Sequence, residues 1–486
     1  MAGVEDVRVR PILFINGVLL IILSLSMVLP MLSDFYFGYD DWKVFFACII
    51  VTAFFGGALV LSSAGQDFSL SIREAFLLAV SSWILLAGFA ALPFWFSSLK
   101  LTVADSFFEA MSGLSTTGAT ILSSPQDAPA GILLWRAMLQ WLGGIGVIVL
   151  SVSLLPFLNI GGMQIFRSEY SDSEKVFPRT MQLVSNLFTL YLGLTVLCAL
   201  SYMASGFEIF DAVAHSMTTI STGGFSTFNH AFSDLHNPGA EFTAILFMVL
   251  GSLPFVLYLK ALRGRPAPLF RDGQVHWFLF FILACSIVVA VQLYRVDGLQ
   301  GSEALRVSLF HTVSIITGTG YYTTNFSAWG GVSLAVLFFL MALGGCSGSS
   351  ASGIKIFRFQ ILYAVAKTQM GKLMYPHGVF IPYYARKPVP PSVPASVMSF
   401  FFLFALSFSV IAILLSLTGL DLVTSLSASA ACLSNVGPGF GPIVGPYGSY
   451  APLSDGAKWV LSFAMLLGRL EIFTVLILLT PYFWKH

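Results

Sequence analysis

The feature that most constrains this chain is a series of apolar segments, each long enough to cross a lipid bilayer. A membrane span needs about 20 consecutive apolar residues. We count ten such segments, the eighth of them interrupted, at residues 11–32, 44–63, 75–97, 131–157, 182–204, 241–262, 276–294, 331–366, 397–418 and 457–482. Only 10% of the 486 residues are charged, against roughly 25% in soluble domains. We therefore predict an all-α polytopic membrane protein.

The charges between these segments indicate how the chain is oriented. Lys and Arg are concentrated in the loops at 260–272 and 367–395, and the loop at 159–180 mixes both signs. Acidic residues predominate in the loops on the other side. Because Lys and Arg favour the cytoplasmic side, we expect both termini in the cytoplasm and an acidic, cation-attracting outer surface. The first apolar segment follows Arg8 and Arg10 but is too long for a signal peptide. We expect it to be retained as a span.

One unit recurs four times after the first two segments. It consists of a span, an apolar segment of half that length, a glycine-bearing turn and a second span. The half-length segments are too short to cross a bilayer, and they lie at 104–115, 210–220, 305–316 and 424–434. The predicted divisions are two N-terminal transmembrane helices at 1–70 and four units at 71–158, 181–264, 275–366 and 396–486. We expect the units to form a pseudo-fourfold arrangement.

The four turns are built alike from small residues. They read STTGAT at 115–120, STGGFS at 221–226, TGTGYY at 317–322 and VGPGFG at 436–441. We align them on Gly118, Gly224, Gly320 and Gly439. Each second span then carries a Leu-Gly pair, at 142–143, 250–251, 343–344 and 467–468. A single glycine-rich turn would mean little, but four at matched places predict a common function.

Main-chain oxygen atoms are the ligands that such turns can supply. A cation stripped of water needs oxygen ligands, and converging carbonyl groups provide them. Glycine permits the left-handed conformations that turn the backbone inward, and the half-helices present their partly negative C-terminal ends. The residues assigned to this cation site are Thr116, Thr117, Gly118, Thr222, Gly223, Gly224, Gly318, Thr319, Gly320, Gly437, Pro438 and Gly439. The alternative is that these glycines only allow the turns to pack closely.

A run of small residues interrupts the second span of the third unit. The run consists of Gly344, Gly345, Ser347, Gly348, Ser349, Ser350, Ser352 and Gly353, together with Cys346 and Ala351. Such a run is a poor helix former and cannot face lipid as a stable helix. We predict a loop beneath the turns at this point. A simple kink in the helix is the alternative.

Arg469 lies in the otherwise apolar last segment, where a central Arg costs at least about 2.5–3.5 kcal/mol. Glu471 is only two positions further on, and side chains with this spacing do not face each other on a helix. We therefore expect Arg469 to face the interior of the bundle without pairing with Glu471. The alternative is a structural tie between Arg469 and backbone carbonyl groups or the broken helix.

Ionisable residues also lie on the half-length segments. Glu109, His215 and His311 take equivalent positions, and we expect them to pack or form hydrogen bonds behind the turns. Asp105 and Asp211 precede the apolar part of their segments and are predicted to be helix N-caps.

Taken together, these motifs resemble the Trk/Ktr/HKT superfamily of cation transporters, and within it the bacterial TrkH/TrkG potassium-uptake subunits. The residues that carry the resemblance are the four turns, WLGGIG at 141–146, GGMQIFRSE at 161–169, GGCSGSSASGIK at 344–355 and GRLEIFTVLILLTPYFW at 468–484. The resemblance covers nearly the whole chain. The chain departs from the family pattern at Ser350-Ala351-Ser352, where the family has more Thr and Gly.

The resemblance implies channel-like potassium uptake across the bacterial inner membrane, with K⁺ bound by the turn residues assigned above. It implies that the loop at 344–353 gates the pore and that Arg469 lies just below the filter as an electrostatic brake on cations. It also implies a homodimer with one pore per protomer. The expected partners are a cytoplasmic nucleotide-binding subunit of the RCK type, TrkA, and membrane lipids, with no nucleic acid. ATP or ADP is expected on that subunit only, and no covalently bound cofactor on this chain.

Two other functions were weighed against potassium uptake. A relative that conducts sodium, or couples potassium transport to sodium or protons, would have the same fold. In the plant branch of the superfamily, serine in place of the first filter glycine marks sodium selectivity, and the intact Gly118 therefore favours potassium. An intramembrane enzyme would need paired Asp, Ser-His or His-metal groups, whereas the ionisable groups in these spans are isolated. We therefore predict that the chain is not an enzyme.

Overall fold

The computed structural model describes residues 8–65, 70–153, 162–163, 176–296 and 298–484 of the chain. Helices dominate these residues. The predicted all-α architecture is confirmed, with two N-terminal helices followed by four units of span, half-length helix, turn and second span. Most of the loop at 159–180, and most of the motif at 161–169, lie outside the described residues.

The helices of the four units have these bounds. The first spans are Ile72–Ala90 (followed by Leu92–Phe96), Val176–Ala204, Gly273–Arg295 and Ser392–Leu417. The half-length helices, called pore helices 1 to 4 below, are Val103–Leu114, Ile209–Ile220, Gly301–Thr317 and Leu422–Leu433. The second spans are Ala130–Ser153, Pro238–Gly251 with Phe255–Leu262, Gly331–Leu343 with Ile356–Met374, and Asp455–Arg469 with Ile472–Leu476.

Short elements lie between the long helices and after the last of them. Three further helices are Ala267–Arg271, Gly441–Val444 and Pro481–Trp484. The 3₁₀ turns are Pro125–Asp127, Ala231–Asp234, Phe326–Ala328 and Ile477–Leu479. In the loop at 367–395, the strands Tyr383–Tyr384 and Lys387–Pro388 pair antiparallel.

Two of the predicted spans are not continuous. Among the described residues, seven helices are long and apolar enough to span a membrane as single elements, and two further spans are bent pairs. The predicted span at 241–262 is bent, because the axis turns by 91° between Gly251 and Phe255. Pro254 lies at that turn, where it has no N–H to continue the helix. The predicted span at 457–482 is also bent, by 116° at Glu471, whose φ is 64°.

The pore helices do not begin at the residues predicted to cap them. Thr102 is the N-cap of pore helix 1 and forms a capping box with Asp105. The N-cap of pore helix 2 is Glu208. The prediction that Asp105 and Asp211 are N-caps is therefore wrong, because both lie in the first turn of their helices. A carboxylate in the first turn interacts favourably with the helix dipole. Asp421 caps pore helix 4.

The glycines of the Leu-Gly pairs allow the pore helices to reach the second spans. A Cβ atom on Gly143, Gly251 or Gly468 would lie less than 3.0 Å from the carbonyl oxygen of the last residue of a pore helix. Those last residues are Leu114, Ile220 and Leu433 respectively. In the third unit, Gly344 instead contacts the backbone of the loop that follows it. The C-terminal ends of three pore helices are therefore fixed by backbone contact.

The two N-terminal spans, Val9–Ser26 with Val28–Phe37 and Trp42–Ser63, also meet at glycines. A Cβ atom on Gly17 would lie 2.8 Å from the carbonyl oxygen of Gly56, and one on Gly56 would lie 2.9 Å from that of Gly17. Small residues at such crossings let helix backbones approach closely within a bilayer.

We expect Gly56→Leu to destabilise the protein, because the added side chain must push the first span away. Overpacking of this kind costs about 1–3 kcal/mol. Thermal unfolding of the purified protein in detergent would measure the effect. Gly57→Leu is the matched control, since a Cβ atom there meets nothing within 4 Å. Equal shifts for both variants would contradict this account of the crossing.

Candidate functional site

The four turns share one backbone conformation. In each turn, two residues with positive φ flank a central residue. The flanking pairs are Thr116 and Gly118 (53° and 80°), Thr222 and Gly224 (52° and 80°), Gly318 and Gly320 (77° and 79°), and Asn435 and Gly437 (52° and 99°). The central residues are Thr117, Gly223, Thr319 and Val436, and each donates its N–H to a carbonyl group five positions earlier in its pore helix. The four turns are therefore structural equivalents.

The turns close into a ring through contacts between backbones. A Cβ atom on the second positive-φ glycine of any turn would lie less than 3.0 Å from the carbonyl oxygen of the next turn's central residue. The contacts are Gly118 to Gly223, Gly224 to Thr319, Gly320 to Val436, and Gly437 to Thr117. The units therefore follow one another around the ring in the order of the sequence, and the fourth unit closes the ring against the first. Asn435 strengthens the last contact, because its Nδ2 donates to Thr117 Oγ1 at 2.9 Å.

The fourth turn has a different alignment from the predicted one. Gly437, and not Gly439, takes the position of Gly118, so the alignment of Gly439 with Gly320 is wrong. Gly439 faces away from the ring and donates its N–H to the carbonyl oxygen of Val444. Pro438 lies beside Gly320. Asn435, Val436 and Gly437 are therefore the equivalents of the residues assigned in the other three turns.

The sequence contains a signal for this alignment. At the end of each pore helix a Leu or Ile is followed by a hydroxyl residue, and the ring glycine comes three positions after that residue. The four hydroxyl residues are Ser115, Ser221, Thr317 and Ser434. Counting forward from the pore helix, rather than matching the most glycine-rich stretch, would have selected Gly437.

A cavity lies on one side of the ring and a loop on the other. The cavity is lined by the four ring glycines and by residues that follow the turns, including Phe228, His230, Tyr322 and Tyr447. The lining residues that the structure describes include no Asp or Glu.

Behind the ring, the predicted ionisable residues form hydrogen bonds. The side chains of Glu109 and Arg136 are buried, and Arg136 Nε lies 2.7 Å from Glu109 Oε1. Glu109 also accepts from the N–H of Ile121. His215 Nε2 lies 3.0 Å from Ser226 Oγ, and the N–H of Thr323 donates to His311 Nε2 at 3.3 Å. The bonds to Ile121, Ser226 and Thr323 tie pore helices 1 to 3 to the segments that follow their turns. The ion pair ties pore helix 1 to the second span of its unit.

The chain is non-helical from Gly344 to Lys355, and we call this segment the broken-span loop. It is buried against the end of pore helix 2, the second span of unit two and the fourth turn. Ser350 Oγ lies 2.9 Å from the carbonyl oxygens of Ile220 and Gly251. Ser352 Oγ donates to the carbonyl oxygen of Asn435 at 2.7 Å. Because Asn435 is part of the ring, the broken-span loop contacts the ring from the side opposite the cavity.

Arg469 contacts the broken-span loop directly. Its Nη1 donates to the carbonyl oxygen of Ser350 at 3.1 Å. Its Nε and Nη2 are buried and have no hydrogen-bond partner among the residues that the structure describes. Arg469 does not pair with Glu471, as expected from their spacing. Glu471 instead lies 2.5 Å from Arg358 Nη2, a pair that the sequence did not predict.

The comparisons with known proteins agree with this geometry. A family profile named TrkH and described as "Cation transport protein" matches residues 41–485. The Trk system potassium uptake protein TrkI of Halomonas elongata is 40% identical over 99% of this chain and 98% of that protein. TrkH of Escherichia coli is 34% identical over 98% of this chain and 99% of that protein.

A solved structure is also similar over nearly the full length. The crystal structure of the potassium transporter TrkH from Vibrio parahaemolyticus matches with a TM-score of 0.91 and 33% sequence identity. The match covers 98% of this chain and 100% of that chain. The described proteins are transporters and not enzymes. This chain is therefore a multi-span membrane protein that belongs to the TrkH family of cation transport proteins.

Proposed function

We propose that this chain takes up potassium across the bacterial inner membrane by channel-like permeation through the ring of turns. The observation that carries the proposal is the closed contact of each ring glycine with the carbonyl oxygen of the next central residue. Four backbone segments in this arrangement can surround one ion with main-chain oxygens, which replace its water shell.

The surroundings of the ring favour a main-chain site. Among the described residues, no group of three or more His, Cys, Asp or Glu side chains could hold a metal ion. The assigned ligands are Thr116, Thr117, Gly118, Thr222, Gly223, Gly224, Gly318, Thr319 and Gly320, and in the fourth turn Asn435, Val436 and Gly437 in place of Gly437, Pro438 and Gly439. The relatives named above are potassium uptake proteins, which supports K⁺ as the ion.

Tracer uptake by the purified protein in proteoliposomes would test this function. We expect uptake of potassium that excess unlabelled potassium suppresses and an equal excess of sodium does not. Uptake that depends on a sodium or proton gradient, or that sodium suppresses equally, would favour the sodium-permeating or coupled alternative. No uptake of either ion would refute permeation by this chain alone.

We expect Gly118→Ser to reduce the preference for potassium over sodium without preventing membrane insertion. The φ of Gly118 is 80°, a region that costs other residues about 1–2 kcal/mol, and the new side chain would meet the carbonyl oxygen of Gly223. Competition between potassium and sodium in tracer uptake measures the effect. Gly88→Ser is the control, because a Cβ atom there meets nothing within 4 Å. An unchanged preference would mean that Gly118 is not part of the filter.

The broken-span loop is proposed as a gate. Its contacts with Ile220, Gly251 and Asn435 would keep it across the path below the ring. The gate residues are Gly344, Gly345, Ser347, Gly348, Ser349, Ser350, Ser352, Gly353 and Arg469. The hydroxyl groups of Ser349, Ser350 and Ser352 form hydrogen bonds to backbone carbonyl oxygens, and one such bond is worth about 0.5–1.5 kcal/mol. A loop fixed by several weak bonds can be released by a modest change elsewhere.

Deletion of residues 347–349 should raise potassium flux, because the shortened loop can no longer reach across the path. The ratio of potassium to sodium uptake should stay the same, since the ring itself is intact. Flux per folded protein in proteoliposomes is the measurement. A well-expressed deletion with equal or lower flux would count against a gate at this loop.

Arg469 is proposed as both a tie to the loop and a barrier to cations. At an effective dielectric constant near 20, two unit charges about 4 Å apart repel by roughly 4 kcal/mol, and water in the path would reduce this repulsion. We expect Arg469→Ala to increase potassium flux per folded protein. Arg469→Lys keeps the charge and should stay nearer the wild-type flux. A decrease with Ala would refute the barrier and leave only the structural tie.

We also propose the assembly that the family implies. It is a homodimer with one pore per protomer, both termini in the cytoplasm, and a cytoplasmic subunit of the RCK type that binds ATP or ADP. The loop at 367–395 supports this proposal, because it carries the exposed basic residues Lys372, Arg386 and Lys387 and a small antiparallel hairpin. Such a surface offers a rigid, positively charged contact for a soluble partner.

A further inference from the structure

The four interfaces of the ring are not equivalent. The central residue is Thr117, Thr319 or Val436 in three turns, but Gly223 in the second turn has no side chain. A second irregularity lies in the second spans, three positions before the glycine of each Leu-Gly pair. That position is Met248, Met341 and Met465 in units two to four, and Gln140 in unit one. All four side chains are buried.

The two irregularities meet in space. Gln140 is fully buried, and its Nε2 donates to the carbonyl oxygen of Gly223 at 2.6 Å. Its Oε1 accepts from the N–H of Phe225 at 3.0 Å. A Cβ atom on Gly223 would lie less than 3.0 Å from Cδ, Oε1 and Nε2 of Gln140. The amide of Gln140 therefore takes the space that a side chain at position 223 would need.

The order of units around the ring explains this pairing. Unit one contacts unit two in the ring, so Gln140 of unit one lies behind the turn of unit two. By the same order, Met248 corresponds to Thr319, Met341 to Val436 and Met465 to Thr117. Three interfaces thus pair Met with a residue that has a side chain, and the fourth pairs Gln with Gly. At the one interface where Gln replaces Met in the second span, Gly replaces the larger central residue of the turn.

We infer that Gln140 is a positioning residue that sets the ion selectivity of the ring, an inference that rests on the proposed function. Its amide binds two backbone groups of the second turn, namely the carbonyl group of Gly223 and the N–H of Phe225. Buried backbone groups without such partners are rare and costly. With the amide present, the carbonyl of Gly223 cannot move freely towards a smaller ion.

The consequence is a ring with one restrained ligand. A sodium ion is smaller than a potassium ion, so binding it requires the oxygen atoms to move inward. The hydrogen bond from Gln140 opposes that movement in one of the four turns. It also weakens the attraction of the Gly223 oxygen for an ion, because that oxygen already accepts a hydrogen bond. Loss of the bond should therefore favour sodium more than potassium.

Four variants test this inference in proteoliposomes. Gln140→Met introduces the residue of the other three units and removes both hydrogen bonds. Gln140→Leu removes both hydrogen bonds with a shorter, branched apolar side chain. The double variant Gln140→Met with Gly223→Thr recreates the pairing of the other interfaces. Gln360→Met is the control, because it removes a hydrogen bond from Gln to the carbonyl of Gly273, outside the ring.

The measurement is the ratio of potassium to sodium uptake, normalised to folded protein. We expect Gln140→Met and Gln140→Leu to lower this ratio by about tenfold, equivalent to ~1.4 kcal/mol. The double variant should recover to within about threefold of wild type, and Gln360→Met should match wild type. A purely structural residue would change the amount of folded protein and leave the ratio unchanged.

The outcomes separate this inference from the proposed function. If wild type transports potassium but both single variants keep its ratio, the role of Gln140 is refuted while the proposed function stands. Loss of folded protein in both single variants, without recovery in the double variant, would assign Gln140 to folding and also refute it. If wild type transports no potassium, the proposed function itself fails.

Discussion

Backbone contact between neighbouring turns is the constraint on which the rest of this structure depends. Each ring glycine lies against a carbonyl oxygen of the next turn, and no side chain fits between them. Non-helical backbone at membrane depth is tolerated only where protein or water surrounds it. The second spans, the broken-span loop and the residues behind the turns together enclose the ring, so that its backbone is surrounded by protein.

The second spans are shaped by their contacts with the pore helices that carry the ring. Gly143, Gly251 and Gly468 let the second spans contact the ends of pore helices. Immediately beyond these contacts, the second spans of units two and four bend sharply, and that of unit three opens into a loop. Arg469 is the last residue before the bend of unit four, and it lies against the broken-span loop.

The buried charged residues differ in their partners according to where they lie relative to the ring. Glu109 and Arg136 lie behind the ring, where their ion pair joins pore helix 1 to its second span. Below the ring, Arg358 pairs with Glu471, whereas Arg469 is bound to backbone oxygen. A buried pair that loses one partner leaves an uncompensated charge, which costs about 3–5 kcal/mol. The pairs behind and below the ring are therefore suited to rigid support, and Arg469 to a contact that can be exchanged.

Hydropathy and repetition determined the class of protein, the four units, the half-length helices, three of the four turns and the break in the third unit. These features depend on local composition and on the length needed to cross a bilayer, which a sequence records directly. The alignment of Gly437, the bends near Pro254 and Glu471, and the contact of Gln140 with Gly223 were decided only by the tertiary structure. They depend on which turn faces which span around the ring, and that order joins residues far apart along the chain.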